Sequence, residues 1–256
     1  MKKILKYVLV SIEASVLFVV VGALTTAITK NIYADILIEQ FKAEAVYDEE
    51  NSTNTVKLYK IESTEERPAL QRKGTTILPG DTGDILISLN SELNIPFIKE
   101  FVSFFAGGHA AMVLGDYQDY LGKADVNKTL ESTGMNPGLN LSTMLSKQYW
   151  STNHPYKEVI GLRVRTTEAE RKRVLASAMA LEGDPYNYSF LFDTKNKAYC
   201  SDLINKAYQS IGVDLNKDGF TTSVYDLLVS KETYISYYHF YDGDGVKHIY
   251  YLDVQE

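Results

Sequence analysis

The chain holds a single cysteine, Cys200, in the stretch KAYCSDLINKAYQSIG, where it opens an amphipathic helix that stops at Gly212. A thiol attacks only as its thiolate. The unpaired amides and macrodipole at a helix N-terminus lower its pKa. The same amides can hold the oxyanion of a tetrahedral intermediate. The plainer reading is that Cys200 is a small packed hydrophobe.

A thiolate needs a base, and the chain offers four histidines. His154 precedes Pro155 in a polar loop, and His239 and His248 fall on the two arms of a terminal hairpin. His109 follows Gly107 and Gly108 and starts the apolar strand HAAMVLG. A buried strand aims such a histidine rigidly at a cleft, and the glycines leave room for substrate. A third group must orient the imidazole and stabilise its cation. Glu131, in NKTLESTG, follows the His109 strand and supplies a carboxylate. The ordinary alternatives are a strand-edge histidine without a task and a surface glutamate.

The elements that must position these groups are legible from Leu78 onward. Ile85, Leu86 and Ile87 make a short buried strand after turn residues. IPFIKEFVSFFAGG is an apolar helix closed by glycines, read as core beside the cleft, with grip on an acyl chain or contact with a bilayer as the alternative. KEVIGLRVR is a further strand. TTEAERKRVLASAMALEG is a helix with Thr167 and Glu170 as a capping box and Gly183 at its end. YISYYHFYDGDGVKHIYYLDV reads as a β-hairpin with DGDG at the turn.

Taken in order, GDILI, GGHAAMVLG, LESTGMNPGLNL, VIGLRVR, GDPYNYSF and AYCSDLINKAYQSIG resemble the permuted branch of the NlpC-type papain-like cysteine hydrolases, the YiiX-like group in particular. The likeness runs from about Pro79 to Leu228. Histidine precedes cysteine, as in the permuted branch and opposite to the usual papain-like order. The resemblance implies an α+β, circularly permuted papain-like fold with a small antiparallel sheet packed on the nucleophile helix. It implies Cys200 as nucleophile, His109 as base and Glu131 as third polar residue, with Tyr199 and Gly108 near the oxyanion or substrate. It implies covalent acyl transfer through a thioester, with no cofactor and no metal. The Tyr-rich hairpin after Lys231 lies outside the resemblance.

Composition narrows the function. The chain has 256 residues, 45% hydrophobic and 23% charged, with a net charge of −7. No basic stripe interleaved with aromatics is present, which argues against a nucleic-acid partner. One cysteine excludes an intrachain disulfide. The N-terminus begins with Lys2, Lys3 and Lys6, followed by an apolar run from Tyr7 to Ile28 whose one charge is Glu13. At about 1.5 Å per residue the run crosses roughly 30 Å of hydrocarbon. The lysines favour an N-terminus inside and a chain outside the cytoplasm. A cleaved signal peptide, giving a secreted protein, is the rival. The expected organisation is an anchor or signal over 1–30, a stalk and linker over 31–78 with one strand at Val56 to Ile61, and a hydrolase domain with its hairpin over 79–256. The pattern specifies no oligomeric state.

Two motifs are discounted. Asp214, Asn216, Asp218 and Gly219 match the start of a calcium loop, but its twelfth position is Tyr225 rather than an acid. His239 and His248 lack a third metal ligand. Three functions remain: a membrane-tethered hydrolase of an amide in cell-wall peptides, a lipid-directed thiol acyl hydrolase or acyltransferase, and a non-catalytic binding module.

Overall fold

The computed structural model describes residues 2–71, 77–91, 97–114, 128–133, 142–146, 150, 156–190, 197–219 and 221–253. It is an α+β fold around one mixed sheet. The strands are β1 (Val46–Tyr47), β2 (Val56–Glu62), β3 (Ile85–Ser88), β4 (His109–Val113), β5 (Lys128–Ser132), β6 (Ser142–Ser146), β7 (Glu158–Val164), β8 (Thr233–Tyr241) and β9 (Lys247–Asp253). Their order in the sheet is β1-β2-β9-β8-β7-β3-β4-β5-β6. The helices are α1 (Lys2–Ala43), α2 (Ile98–Phe105), α3 (Glu168–Met179), α4 (Cys200–Gln209) and α5 (Val224–Val229).

Period-two alternation builds two cores on the central strands. Ile85 and Ile87 of β3 and Ala110 and Met112 of β4 face the helices, together with Leu203 and Ile204 of α4 and Val174 of α3. Leu86, Ala111 and Val113 face the other way, against Trp150, Tyr156 and Val159. The helix starts follow their sequence signals. Thr167 and Glu170 form a reciprocal capping box on α3, and Ser223 with Asp226 does the same on α5. The α4 chain turns out after Gln209, and Gly212 takes a positive φ of 82°.

The sheet is wider than the small antiparallel one expected. The terminal hairpin joins it through β8 on β7, and β2 extends it by pairing parallel with β9, from Val56↔Lys247 to Glu62↔Asp253. A pairing so distant along the chain leaves no short-range signal. Residues read as stalk and linker therefore carry a sheet strand. The later half of α1 also packs on the fold: Ala34, Ile38 and Phe41 are buried in the main core. Arg163 of β7 ties the lead-in down. Its Nε donates to Asp84 Oδ1 at 2.8 Å, and its other nitrogens reach Asp84, Asp81 and the Pro68 carbonyl. A cut at Pro79 would strip β2 from β9 and α1 from the core.

Another difference concerns α2. The sequence reading makes it core, yet none of its residues is buried. Residues 95–96 of the expected helix lie outside the described residues. On the hairpin, Phe240 faces His248 and His239 faces Ile249, so the two histidines project from opposite faces. His239 is buried and bonded through Nδ1 to Tyr237, while His248 bonds Asp242. In the discounted calcium loop, Asp214 accepts from Asn205 and Asp218 pairs with Lys30.

Candidate active site

The structure brings Cys200, His109 and Glu131 together from three elements. Cys200 is the first residue of α4, which packs on β4 and β5. His109 is the first residue of β4, and Glu131 lies on β5, paired antiparallel with β4. Two side-chain anchors set α4 against this part of the sheet. Ser132 Oγ, next to Glu131, donates to the Ala198 carbonyl at 2.7 Å, and the Tyr208 hydroxyl donates to the Gly83 carbonyl at 2.7 Å.

Glu131 is 1% exposed and accepts three hydrogen bonds. His109 Nε2 lies 2.8 Å from Oε2, while Thr129 Oγ1 at 2.6 Å and Trp150 Nε1 at 2.8 Å both donate to Oε1. Three donors satisfy a buried anion that would otherwise be very costly. Thr129 stands two residues before Glu131 and so shares its face of β5. Trp150 also stacks near-parallel to the His109 ring at 5.8 Å, and Tyr156 stacks on Trp150 at 4.1 Å. The imidazole is held edge-on by a carboxylate and face-on by an indole.

Because Nε2 faces Glu131, Nδ1 is the nitrogen left for the thiol. The electrostatics agree. Burial alone would pull the His109 pKa down, but hydrogen bonds and charge from Cys200 and Glu131 outweigh it and push it up to about 10. Burial would raise the Cys200 thiol. The hydrogen bond and charge of His109, with backbone N–H groups of Ala110 and Ser201, bring it below its ordinary value instead. The stable form of the couple is thiolate with imidazolium. No side chain caps the start of α4. The amide of Cys200 is thus left to an oxyanion.

The remaining expected residues take different places. Tyr199 is the N-cap residue of α4, with a buried ring against Phe190 at 5.3 Å. Burial raises its hydroxyl, which is hydrogen-bonded at Thr222. Gly108 is not an oxyanion donor, since its N–H donates to the Ser88 carbonyl at 2.9 Å. Nor does it leave room for substrate: a Cβ there would stand 2.2 Å from the Asn90 carbonyl oxygen. Its small size serves the close approach of β4 to the 88–90 backbone. His154 lies outside the described residues. No group of three or more His, Cys, Asp or Glu suited to a metal ion occurs among the described residues.

Sequence reasoning missed the supports. Thr129 was findable as the same-face neighbour of Glu131 on a strand. Trp150, the sole tryptophan, had no local signal because its partners lie on β4 and β5. A chain of aromatic rings, Tyr186, Phe190 and Tyr199, also borders the cysteine. Burial first, then the negative charge at Cys200, raises the Tyr186 hydroxyl.

A cysteine at a helix start, facing a histidine from an earlier strand, defines a permuted papain-like arrangement. The sequence profile of the permuted papain-like amidase enzymes, the YaeF/YiiX, C92 family, matches residues 81–228, and the chain belongs to that family. It is also similar to a crystal structure described as metalloprotein yiiX from Escherichia coli O157:H7. There the identity is 14% and the TM-score 0.45, over 60% of this chain and 95% of that one. No curated protein matches the chain significantly.

Proposed function

We propose that the protein is a membrane-tethered cysteine amidase that cleaves an amide through a thioester. Cys200 is the nucleophile, His109 the general base and acid, and Glu131 the group that orients and stabilises the imidazolium. One observation carries this reading: His109 stands between a buried carboxylate and a thiol, and each pulls its pKa upward. A packing cysteine has no use for such a partner, which counts against a bare binding module.

The thiolate attacks the carbonyl carbon, and the oxyanion forms beside the Cys200 amide at the start of α4. His109, protonated by the thiol, gives its proton to the leaving amine as the C–N bond breaks. Water, deprotonated by His109, then cleaves the thioester and returns the thiol proton. The tether is α1, a helix long and apolar enough to cross a membrane. Lys2, Lys3 and Lys6 favour a catalytic part outside the cytoplasm.

A cell-wall peptide suits an enzyme anchored on that side. A lipid acyl substrate is the second reading, favoured by the Tyr186, Phe190 and Tyr199 rings beside Cys200. The test uses the full chain in detergent, incubated with peptidoglycan fragments and, separately, with acylated lipid, beside Cys200→Ala. A product that needs the thiol supports the enzyme, and its source decides the substrate. No thiol-dependent product from either, with Cys200 inert to iodoacetamide at neutral pH, overturns the proposal.

A further inference from the structure

α2 presents large apolar side chains to solvent. Phe97, at its N-cap, is 87% exposed, Ile98 48% and Phe101 63%. Ile98, Phe101, Val102 and Phe105 recur at helical spacing, so they form one stripe, while Lys99 and Glu100 fall off it. The Phe101 and Phe105 rings touch along the stripe at 4.7 Å. An eight-residue helix with such a face and no buried residue is amphipathic but packed in nothing.

Its height on α1 identifies what covers it. Asn31 Nδ2 donates to the Phe104 carbonyl at 3.0 Å, which pins α2 against α1. The apolar run of α1 ends at Ile28, only about 4.5 Å along the axis from Asn31. Below that level the α1 side chains are bare: Leu17 is 64% exposed and Phe18 81%. We infer that α2 is a membrane-interface helix, its Phe97, Ile98 and Phe101 face lying in the headgroup–acyl boundary of the bilayer that α1 crosses. This rests on the reading of α1 as a transmembrane span. A lipid surface is the fitting partner because the interface stands at that height already, and aromatic side chains favour that depth.

The seat is rigid and leads to the site. Tyr225 and Val224, at the start of α5, bond the Ser103 and Ala106 carbonyls at 3.0 and 2.9 Å. α5 in turn is held to α1 by the Lys30–Asp226 pair at 2.5 Å. Three residues after Ala106 the chain reaches His109. Seating α2 therefore brings the Cys200–His109 cleft to the membrane surface.

The test is site-directed spin labelling of the full chain in phosphatidylcholine–phosphatidylglycerol vesicles, with Cys200→Ala as background so that only the introduced cysteine is labelled. Labels go on Phe101→Cys, Phe18→Cys and Glu182→Cys, and depth is read from oxygen and nickel-chelate collisions. Phe101→Cys is expected about 5–10 Å into the boundary, Phe18→Cys deep in hydrocarbon and Glu182→Cys in water. Phe97→Cys gives the same readout should Phe101→Cys not fold. A deep Phe18→Cys with water-exposed labels at Phe101 or Phe97 overturns the interface helix and leaves the span standing. A water-exposed Phe18→Cys removes both.

Discussion

Replacing Glu131 by Gln tests the carboxylate without changing the size of the residue. The glutamine keeps one acceptor oxygen but loses the charge. It also turns an amide donor toward His109, Thr129 or Trp150, all of which now donate to Glu131 when the imidazole is protonated. A hydrogen bond to a charged group contributes about 1.5–3 kcal/mol. Losing most of one lowers the His109 pKa by about one to two units, at 1.36 kcal/mol per unit. The thiol and imidazole titrate as a pair, so a weaker imidazolium is a weaker partner for the thiolate. Iodoacetamide reads this without a known substrate, because the chain has one cysteine and gives one adduct by mass spectrometry. At neutral pH the alkylation rate should fall about 10- to 100-fold. The alkaline edge of the ion-pair window, set in the native protein by His109 at about 10, should move down. The sign for stability follows. A histidine whose folded pKa is raised stabilises the fold fully below its model value of 6.5 and loses that contribution as pH rises toward about 10. The variant should lose it at lower pH. An unchanged alkylation rate and pH profile in a folded Glu131→Gln would refute the role of the carboxylate.

Other consequences concern the scaffold. Arg163→Met leaves Asp84 and Asp81 buried without their cation, and should cost about 3–5 kcal/mol in denaturant unfolding. A change under about 1 kcal/mol would mean that the pair is not structural. Gly108→Ala must push a methyl group into the Asn90 carbonyl, and should cost at least about 1–3 kcal/mol. Thermal unfolding equal to the parent would show that the close approach of β4 is relaxed in solution. His239 is buried, and burial foremost, then Lys247, pulls its pKa down to about 3. Its contribution is present above 6.5 and is lost as pH falls from there toward about 3. His239→Gln should therefore flatten part of the stability loss between pH 6 and 4 in urea titrations. An identical acid profile would exclude the histidine as its source.

Much of this was readable along the chain because it is local. The α3 capping box, the glycine after α4, the Asp-Gly turn and the alternation in β3 each need only a few neighbouring residues. Cys200 at a helix start is also local, since orphan amides belong to that helix alone. Gly108 shows where such reading fails. A glycine before a histidine looks like room for substrate, but a backbone twenty residues upstream fills that space. The α2 stripe looked like core because periodicity reports an apolar face and not what the face meets.

The sequence by itself determined which chemistry was available: one thiol, a few histidines, a strand order with histidine before cysteine, and an apolar leader long enough for a bilayer. Only the tertiary structure decided which histidine meets the thiol and what holds it there. Thr129 and Trp150 grip Glu131, β2 joins β9, and α2 stands at the end of the apolar run of α1. The physical reason is range. Hydrogen-bond caps and side-chain periodicity act within a turn or a strand, whereas a pKa set by three residues from three elements exists only once packing has brought them together.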